Sequence, residues 1–134
     1  MTADLPQKDV ILVIDDDDAV RRTLVRMLES QGFDALEAVD GTDGLVVYAE
    51  NATVIKAATV DLLMPVTSGA DTLATLARFA PHLPVVVCTA LPPPHDQLNP
   101  RPGTPGIGYI QKPFSAAELV AELRRVIAEV EAGR

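Results

Sequence analysis

A doubly wound α/β domain on a five-stranded parallel sheet is the fold the sequence predicts, and three observations carry that prediction. Short, largely β-branched apolar runs alternate with stretches whose apolar residues recur at helical spacing. The first run is apolar without interruption, as a strand covered on both faces requires. The connections between successive elements are short, so the strands rejoin the sheet in parallel, with helices on both faces.

Val10-Ile11-Leu12-Val13-Ile14 is the first strand. Four aspartates, Asp15 to Asp18, follow it. Val20, Leu24, Met27 and Leu28 then mark one side of a helix, with Arg21, Arg22, Arg26 and Glu29 on the other. Asp18 is placed to cap its start and Gly32 to stop it. Residues 33–39 form the second strand, and Asp40-Gly41 turns into a helix running from Thr42 or Asp43 to Ala49. The third strand ends at Asp61; Ala57, Ala58 and Thr59 give it little bulk, which predicts a short or thinly packed element. Gly69 opens a helix with Leu73, Leu76, Ala77 and Phe79 on one face, and Pro81 and Pro84 bracket its end. Residues 83–89 and 108–111 supply the fourth and fifth strands. Ser115-Ala116-Ala117-Glu118 is a capping box opening a last helix that carries Leu119, Leu123, Val126, Ile127 and Val130.

The segment from 92 to 106, where this pattern calls for another helix, holds six of the chain's eleven prolines. Each proline inside a helix costs about 3 kcal/mol. The fourth helix is therefore expected to be missing or reduced to a loop, with at most a single turn around His95 to Leu98.

A chain of 134 residues has room for one domain with a proper core. Its net charge of −8 argues against a nucleic-acid or anionic-membrane surface, since both need clustered cations. No Trp and 4% aromatics leave no base-stacking platform. Cys88, the one cysteine, lies in an apolar run and reads as a buried inert thiol in a reducing compartment. No signal peptide and no membrane span are visible, so the expected location is cytoplasmic.

Chemistry gathers at the strand ends. Taken alone, Val60-Asp61-Leu62-Leu63-Met64-Pro65 favours a turn-forming role for Asp61. Asp15 and Asp16, Thr89 and Lys112 change that reading, because all end strands on the same edge of the sheet, where ligands bind in open α/β folds. Three carboxylates brought together repel unless a cation sits among them, and oxygen-only ligands suit Mg²⁺. With the metal and Lys112 offsetting charge and Thr89 donating a hydrogen bond, Asp61 becomes a nucleophile for phosphoryl transfer.

The stretches Ile11 to Asp16, Asp61-Leu-Leu-Met-Pro-x-x-x-Gly69, Val85 to Ala90 and Tyr109-Ile-Gln-Lys112-Pro113-Phe114 together resemble the response-regulator receiver domain of two-component signalling. Any one of them is weak; four in order, correctly spaced, are strong. The resemblance implies a flavodoxin-like receiver domain over residues 9–130, with an extension at 1–8 and a tail at 131–134. It implies Asp61 as phospho-acceptor, Asp15 and Asp16 as the acidic pair holding Mg²⁺, and the Leu63 backbone carbonyl as a further ligand. Thr89 and Lys112 would contact the phosphoryl oxygens, and Tyr109 would couple to the switch Thr89. The implied phosphodonor is a histidine kinase or histidine phosphotransfer protein, the output partner another protein. Enzyme activity is expected to go no further than self-phosphorylation and slow self-dephosphorylation.

Asp17 and Asp18 read as helix-start residues, and His82 and His95 are assigned no role. No output module is expected after the last helix, which suggests a stand-alone receiver. The Pro-rich segment departs from the family pattern on the face typical members use for partners. It keeps open a competing reading, a receiver-like adaptor that works without phosphorylation. A phosphatase would want a second acid two residues after the nucleophile, where Leu63 stands.

Leu63 and Leu91 are also the residues that, by the resemblance, flank the approach of a hydrolytic water, and neither can hydrogen-bond one. Slow loss of phosphate is expected. Leu63→Asn combined with Leu91→Glu should accelerate it roughly tenfold, about 1.4 kcal/mol of barrier. Decay of the double variant at the wild-type rate, followed by intact mass, would show that water access is not the control.

Overall fold

The computed structural model describes residues 8–62, 69–90 and 104–133. In chain order these form β1 (Val10–Ile14), α1 (Asp18–Ser30), β2 (Asp34–Ala38), α2 (Gly41–Asn51), β3 (Ile55–Asp61), α3 (Gly69–Phe79), β4 (Val85–Thr89), β5 (Ile107–Gln111) and α4 (Ala116–Ala132). The strands make one parallel sheet in the order β2-β1-β3-β4-β5. Leu63, Met64, Leu91, His95 and nearly all of the predicted 92–106 loop lie outside the described residues.

Side chains alternate across the strands and so divide the core in two. Ile11, Val13, Ala57 and Val86 pack with Leu24 and Leu28 of α1 and Leu119, Leu123 and Val126 of α4. Leu12, Ile14, Ala58, Val60, Val85 and Val87 pack on the opposite face with Leu73 and Leu76 of α3, and Leu45 and Val47 of α2 join them. The doubly wound arrangement follows directly from this division.

The ends of the helices follow local chemistry. Asp17, not Asp18, caps α1: its backbone is extended, and its Oδ1 accepts from the amides of Ala19 at 2.9 Å and Val20 at 3.1 Å. Asp18 is already inside the first turn. Gly32 takes φ +90° just past the end of α1, a conformation that other residues resist. Ser115 and Glu118 form the predicted capping box of α4.

Two expectations about packing are corrected. β3 is the longest strand at seven residues, and Ala57 to Asp61 are all buried. A central strand is covered by two neighbouring strands and by helices on both faces, so small side chains bring those layers closer and leave no gap. Phe79 does not belong to the packed face of α3. It is the helix's last residue, 62% exposed, with the Arg78 guanidinium 5.2 Å from its ring centre.

Thr59 sits in the middle of this core at 1% exposure, and its Oγ1 has no hydrogen-bond partner among the described residues. An unsatisfied buried hydroxyl costs roughly 1–3 kcal/mol. Thr59→Val keeps the shape and removes that cost, so it should raise the melting temperature by on the order of 3–10 °C. Calorimetry showing an unchanged or lower midpoint would mean that the hydroxyl is satisfied in solution.

Candidate functional site at the carboxyl ends of the strands

From β1 the chain runs outward to β2, then crosses back to place β3 on the other side of β1. The connections leaving β1 and β3 therefore diverge, and a crevice opens between their carboxyl ends. Asp15 directly follows β1, Asp61 ends β3, Thr89 ends β4 and Lys112 directly follows β5. Register brings them level: Ile14 pairs with Val60, Asp61 with Cys88 and Thr89 with Gln111.

Asp15 is fully buried. Its amide donates to the Ala38 carbonyl at 3.1 Å, and its Oδ1 accepts from the Asp17 amide at 2.9 Å. Its Oδ2 has no partner among the described residues. Burial pushes the Asp15 carboxyl up to about 6, with the Asp17 amide opposing and the charges of Asp61 and Asp16 adding to the shift against Lys112. Asp16 follows, half-buried.

Asp61 is 8% exposed, and its Oδ2 accepts from Lys112 Nζ at 3.3 Å. The Lys112 amide donates to the Thr89 carbonyl at 2.7 Å, and the Leu62 amide to the Cys88 carbonyl at 3.0 Å. These two bonds extend the sheet ladder one residue past the strand ends and hold the acid and the amine in register. Thr89 is buried at 1% exposure. Tyr109 stands opposite Val87 on β5, half-buried, and burial pushes its hydroxyl up to about 12. Gly108 beside it lets α4 pass close, since a Cβ there would lie 2.9 Å from Val126 and 2.5 Å from Glu122 Oε2, the oxygen that accepts from the Tyr109 amide. Cys88 is buried and free, its thiol pushed up to about 12 by burial, and so neutral at physiological pH.

Among the described residues no three His, Cys, Asp or Glu side chains form a ready cage for a metal. What the crevice offers is a buried carboxylate with one unsatisfied oxygen, flanked by Asp61 and Asp16. That donor set fits Mg²⁺, which is held by one or two carboxylates and keeps most of its ligands as water or phosphate oxygen.

Asp17 and Asp18 are helix-start residues, and Arg21 Nη2 donates to Asp18 Oδ1 at 2.6 Å. Arg21 itself is a correction. Assigned by polarity to the outer side of α1, it is 7% exposed, and its Nη1 donates to the Asp15 carbonyl oxygen at 2.9 Å. Positions 21, 24 and 28 follow the i, i+3, i+7 rule, so spacing alone would have placed Arg21 on the buried stripe with Leu24 and Leu28.

Residues 11–124 match the family described as the response regulator receiver domain. The chain is 34% identical over 131 residues to a probable transcriptional regulator, ycf27, of Porphyridium aerugineum, covering 93% of this chain and 50% of that protein. It is also 34% identical over 120 residues to the response regulator MprA of Mycobacterium sp. (strain KMS), covering 87% of this chain and 50% of that one. The chain thus spans about half the length of the curated relatives it matches. A response regulator receiver domain protein from Clostridium thermocellum has a similar structure, with a TM-score of 0.75 and 26% identity over 94% of this chain and 99% of that one. A CheY-like receiver domain protein from Methanospirillum hungatei JF-1 shares the fold, with a TM-score of 0.77 at 21% identity over 96% of this chain and 100% of that one.

The raised Asp15 carboxyl has a consequence for stability. The folded state holds this proton more tightly than the unfolded chain. The stabilisation it brings is therefore present below pH 4 and is lost as pH rises through about 6. At neutral pH without divalent cations, Asp15→Asn should stabilise the fold by on the order of 1–3 kcal/mol, and the gain should shrink at acid pH. Urea denaturation in EDTA at pH 7.5 and pH 4.5 checks both; a variant no more stable than wild type at pH 7.5 would contradict the assigned burial cost.

Proposed function

The chain belongs to the response regulator receiver domain family, and from that premise we propose that it accepts a phosphoryl group on Asp61 from the phosphohistidine of a histidine kinase or histidine phosphotransfer protein. The observation that carries this reading is the placement of Asp61. It is a nearly buried carboxylate at the end of a central strand, touching Lys112 and electrostatically coupled to buried Asp15.

In this reading an Asp61 carboxylate oxygen attacks the phosphorus. An O–P bond forms, the P–N bond to the donor histidine breaks, and its electron pair returns to the imidazole nitrogen. Lys112 turns its ammonium from Asp61 Oδ2 toward a phosphoryl oxygen, and the Thr89 hydroxyl donates to another. Mg²⁺, with Asp15, Asp16, Asp61 and the Leu63 carbonyl as its protein ligands, would neutralise charge on the transferring oxygens. Buried Asp15 and the strand-end position of Asp61 set the geometry in advance, so little has to reorganise during transfer.

Beside Lys112, Val20, Leu24, Met27, Pro113 and Phe114 line an open apolar groove that offers a phosphodonor protein a surface. Signalling then proceeds by protein contact, with Thr89 and Tyr109 as the residues that report the phosphoryl group. The proposed setting is the cytoplasm; none of the described helices is long and apolar enough to cross a membrane.

Incubation with acetyl phosphate and MgCl₂ should add one phosphoryl mass to the wild-type protein. Asp61→Asn should abolish that gain, because an amide is not a competent nucleophile. A variant gaining mass as fast as wild type would move the acceptor elsewhere.

A further inference from the structure

We propose that Arg21 is a positioning residue for the Mg²⁺ site, acting through the Asp15 backbone carbonyl that its guanidinium clamps. This inference rests on the function proposed above and adds a residue to it.

The guanidinium makes three bonds to three separate segments. Nη1 donates to the Asp15 carbonyl at 2.9 Å, Nε to Glu37 Oε1 at 2.9 Å and Nη2 to Asp18 Oδ1 at 2.6 Å. It thereby joins the β1–α1 connection to β2 and to the first turn of α1. The first of these bonds is buried. Arg21 is 7% exposed, whereas the side chains of Glu37 and Asp18 are 43% and 73% exposed. The two carboxylates thus orient the guanidinium from outside while it reaches in to the carbonyl.

The Asp15 carbonyl shares a rigid peptide plane with the amide of Asp16. Its orientation therefore sets where the Asp16 side chain departs from the backbone. On the other side of the Asp15 Cα, the amide is fixed by the Ala38 carbonyl, and Oδ1 is fixed by the Asp17 amide. With Arg21 in place, both peptide planes around Asp15 are held, and with them the carboxylate whose Oδ2 has no hydrogen-bond partner among the described residues. Without Arg21, the plane leading into Asp16 loses the one bond given to its carbonyl from α1. Partners bonded to a ligating group itself are worth ten- to hundredfold in metal affinity, and Arg21, which acts one peptide plane away, is expected at the lower end of that range.

The clamp makes a prediction opposite in sign to simple electrostatics. Arg21 is a cation near a proposed cation site, so removing its charge should by itself tighten Mg²⁺ binding. If orientation of the acidic pair dominates, removal should weaken it. The test is the shift of the thermal midpoint with MgCl₂ concentration, with MgCl₂ as the only probe. The metal-free midpoint reports a structural role, and the concentration dependence reports affinity.

Arg21→Met is expected to weaken the Mg²⁺ dissociation constant about tenfold or more, and Arg21→Lys to weaken it too, since Lys keeps the charge and loses the planar fork. An affinity in Arg21→Met equal to or tighter than wild type overturns the proposal, whatever happens to the metal-free midpoint. Should Arg21→Met not fold, the double variant Asp18→Ala with Glu37→Ala removes both outer anchors and leaves Arg21 in the chain. It should weaken Mg²⁺ at least threefold, and an unchanged affinity overturns the clamp. Asp16→Ala is the control for the underlying reading. A wild-type protein with no MgCl₂-dependent shift, or one whose shift survives Asp16→Ala, removes the metal site and the clamp together. A wild-type shift lost in Asp16→Ala but intact in Arg21→Met removes the clamp alone.

Discussion

Keeping the Asp15 carboxyl away from water is the constraint to which this edge of the sheet is fitted. An isolated ionised carboxylate in a protein interior costs many kcal/mol, so such groups take up protons or gather partners. Asp15 shows both tendencies: burial pushes its carboxyl up to about 6, while the Asp17 amide and the Lys112 charge pull against that shift. The Asp17 amide satisfies one oxygen. The same Asp17 caps α1 through its own Oδ1, so helix start and acidic crevice are fixed by one turn of chain. Arg21 completes that turn from the helix side. The crevice and the first helix are thus one construction, and a change in either is felt in the other.

The rest of the fold supplies the rigidity such a construction needs. β1, β3 and β4 are buried almost throughout, whereas the edge strands β2 and β5 are partly open. The polar residues of the site stand at the ends of β3 and β4 and on the first residues after β1 and β5. Their backbones are fixed by ladder hydrogen bonds that continue past the strand ends through Leu62 and Lys112. Asp61 is therefore held by the sheet itself and not by a loop, which is the condition under which a nucleophile can be preorganised.

Much of this was legible in the sequence, and the failures share a cause. Alternating strands and helices could be read because apolar runs and helical spacing are both one-dimensional signals. Asp15, Asp61 and Thr89 stand out because each is a polar residue directly ending a strand run, and Lys112 because it follows the last strand just before Pro113. Side-chain bulk understates the burial of β3, because small residues such as Ala57 and Ala58 in a central strand are covered by its neighbours. Asp17, not Asp18, holds the cap, and sequence alone does not choose between them because four successive aspartates are chemically equivalent and only the end of β1 decides among them. For Phe79 and Arg21 position outweighs polarity: a helix's last residue points past the core, and an arginine at i, i+3, i+7 spacing is drawn into it. The role of Arg21 could not have been read at all, because it acts on a backbone carbonyl, and carbonyls leave no mark in a sequence. The Leu63 carbonyl came from resemblance for the same reason, and it lies outside the described residues together with the Pro-rich segment.

The proposed chemistry also gives the two contacts around Asp61 different parts. Lys112 Nζ stands 3.3 Å from Asp61 Oδ2, longer than the 2.7–2.9 Å of a strong charge-assisted bond, and 30% of its side chain is exposed. Such an ammonium can change partners at little cost in solvation. Thr89 is buried in the last position of a central strand, where its side chain has rotamers to change but its backbone has nowhere to go. Converting a carboxylate to a phosphoryl group replaces roughly one negative charge by close to two. The mobile cation can follow that charge outward, while the hydroxyl can answer only by rotating toward it. Tyr109 lies on the neighbouring strand, two register positions before Gln111, the partner of Thr89. In the proposed reading, a rotation at Thr89 would alter the space near this half-buried ring and so carry a charge added inside the crevice toward the surface on which a partner protein would read it.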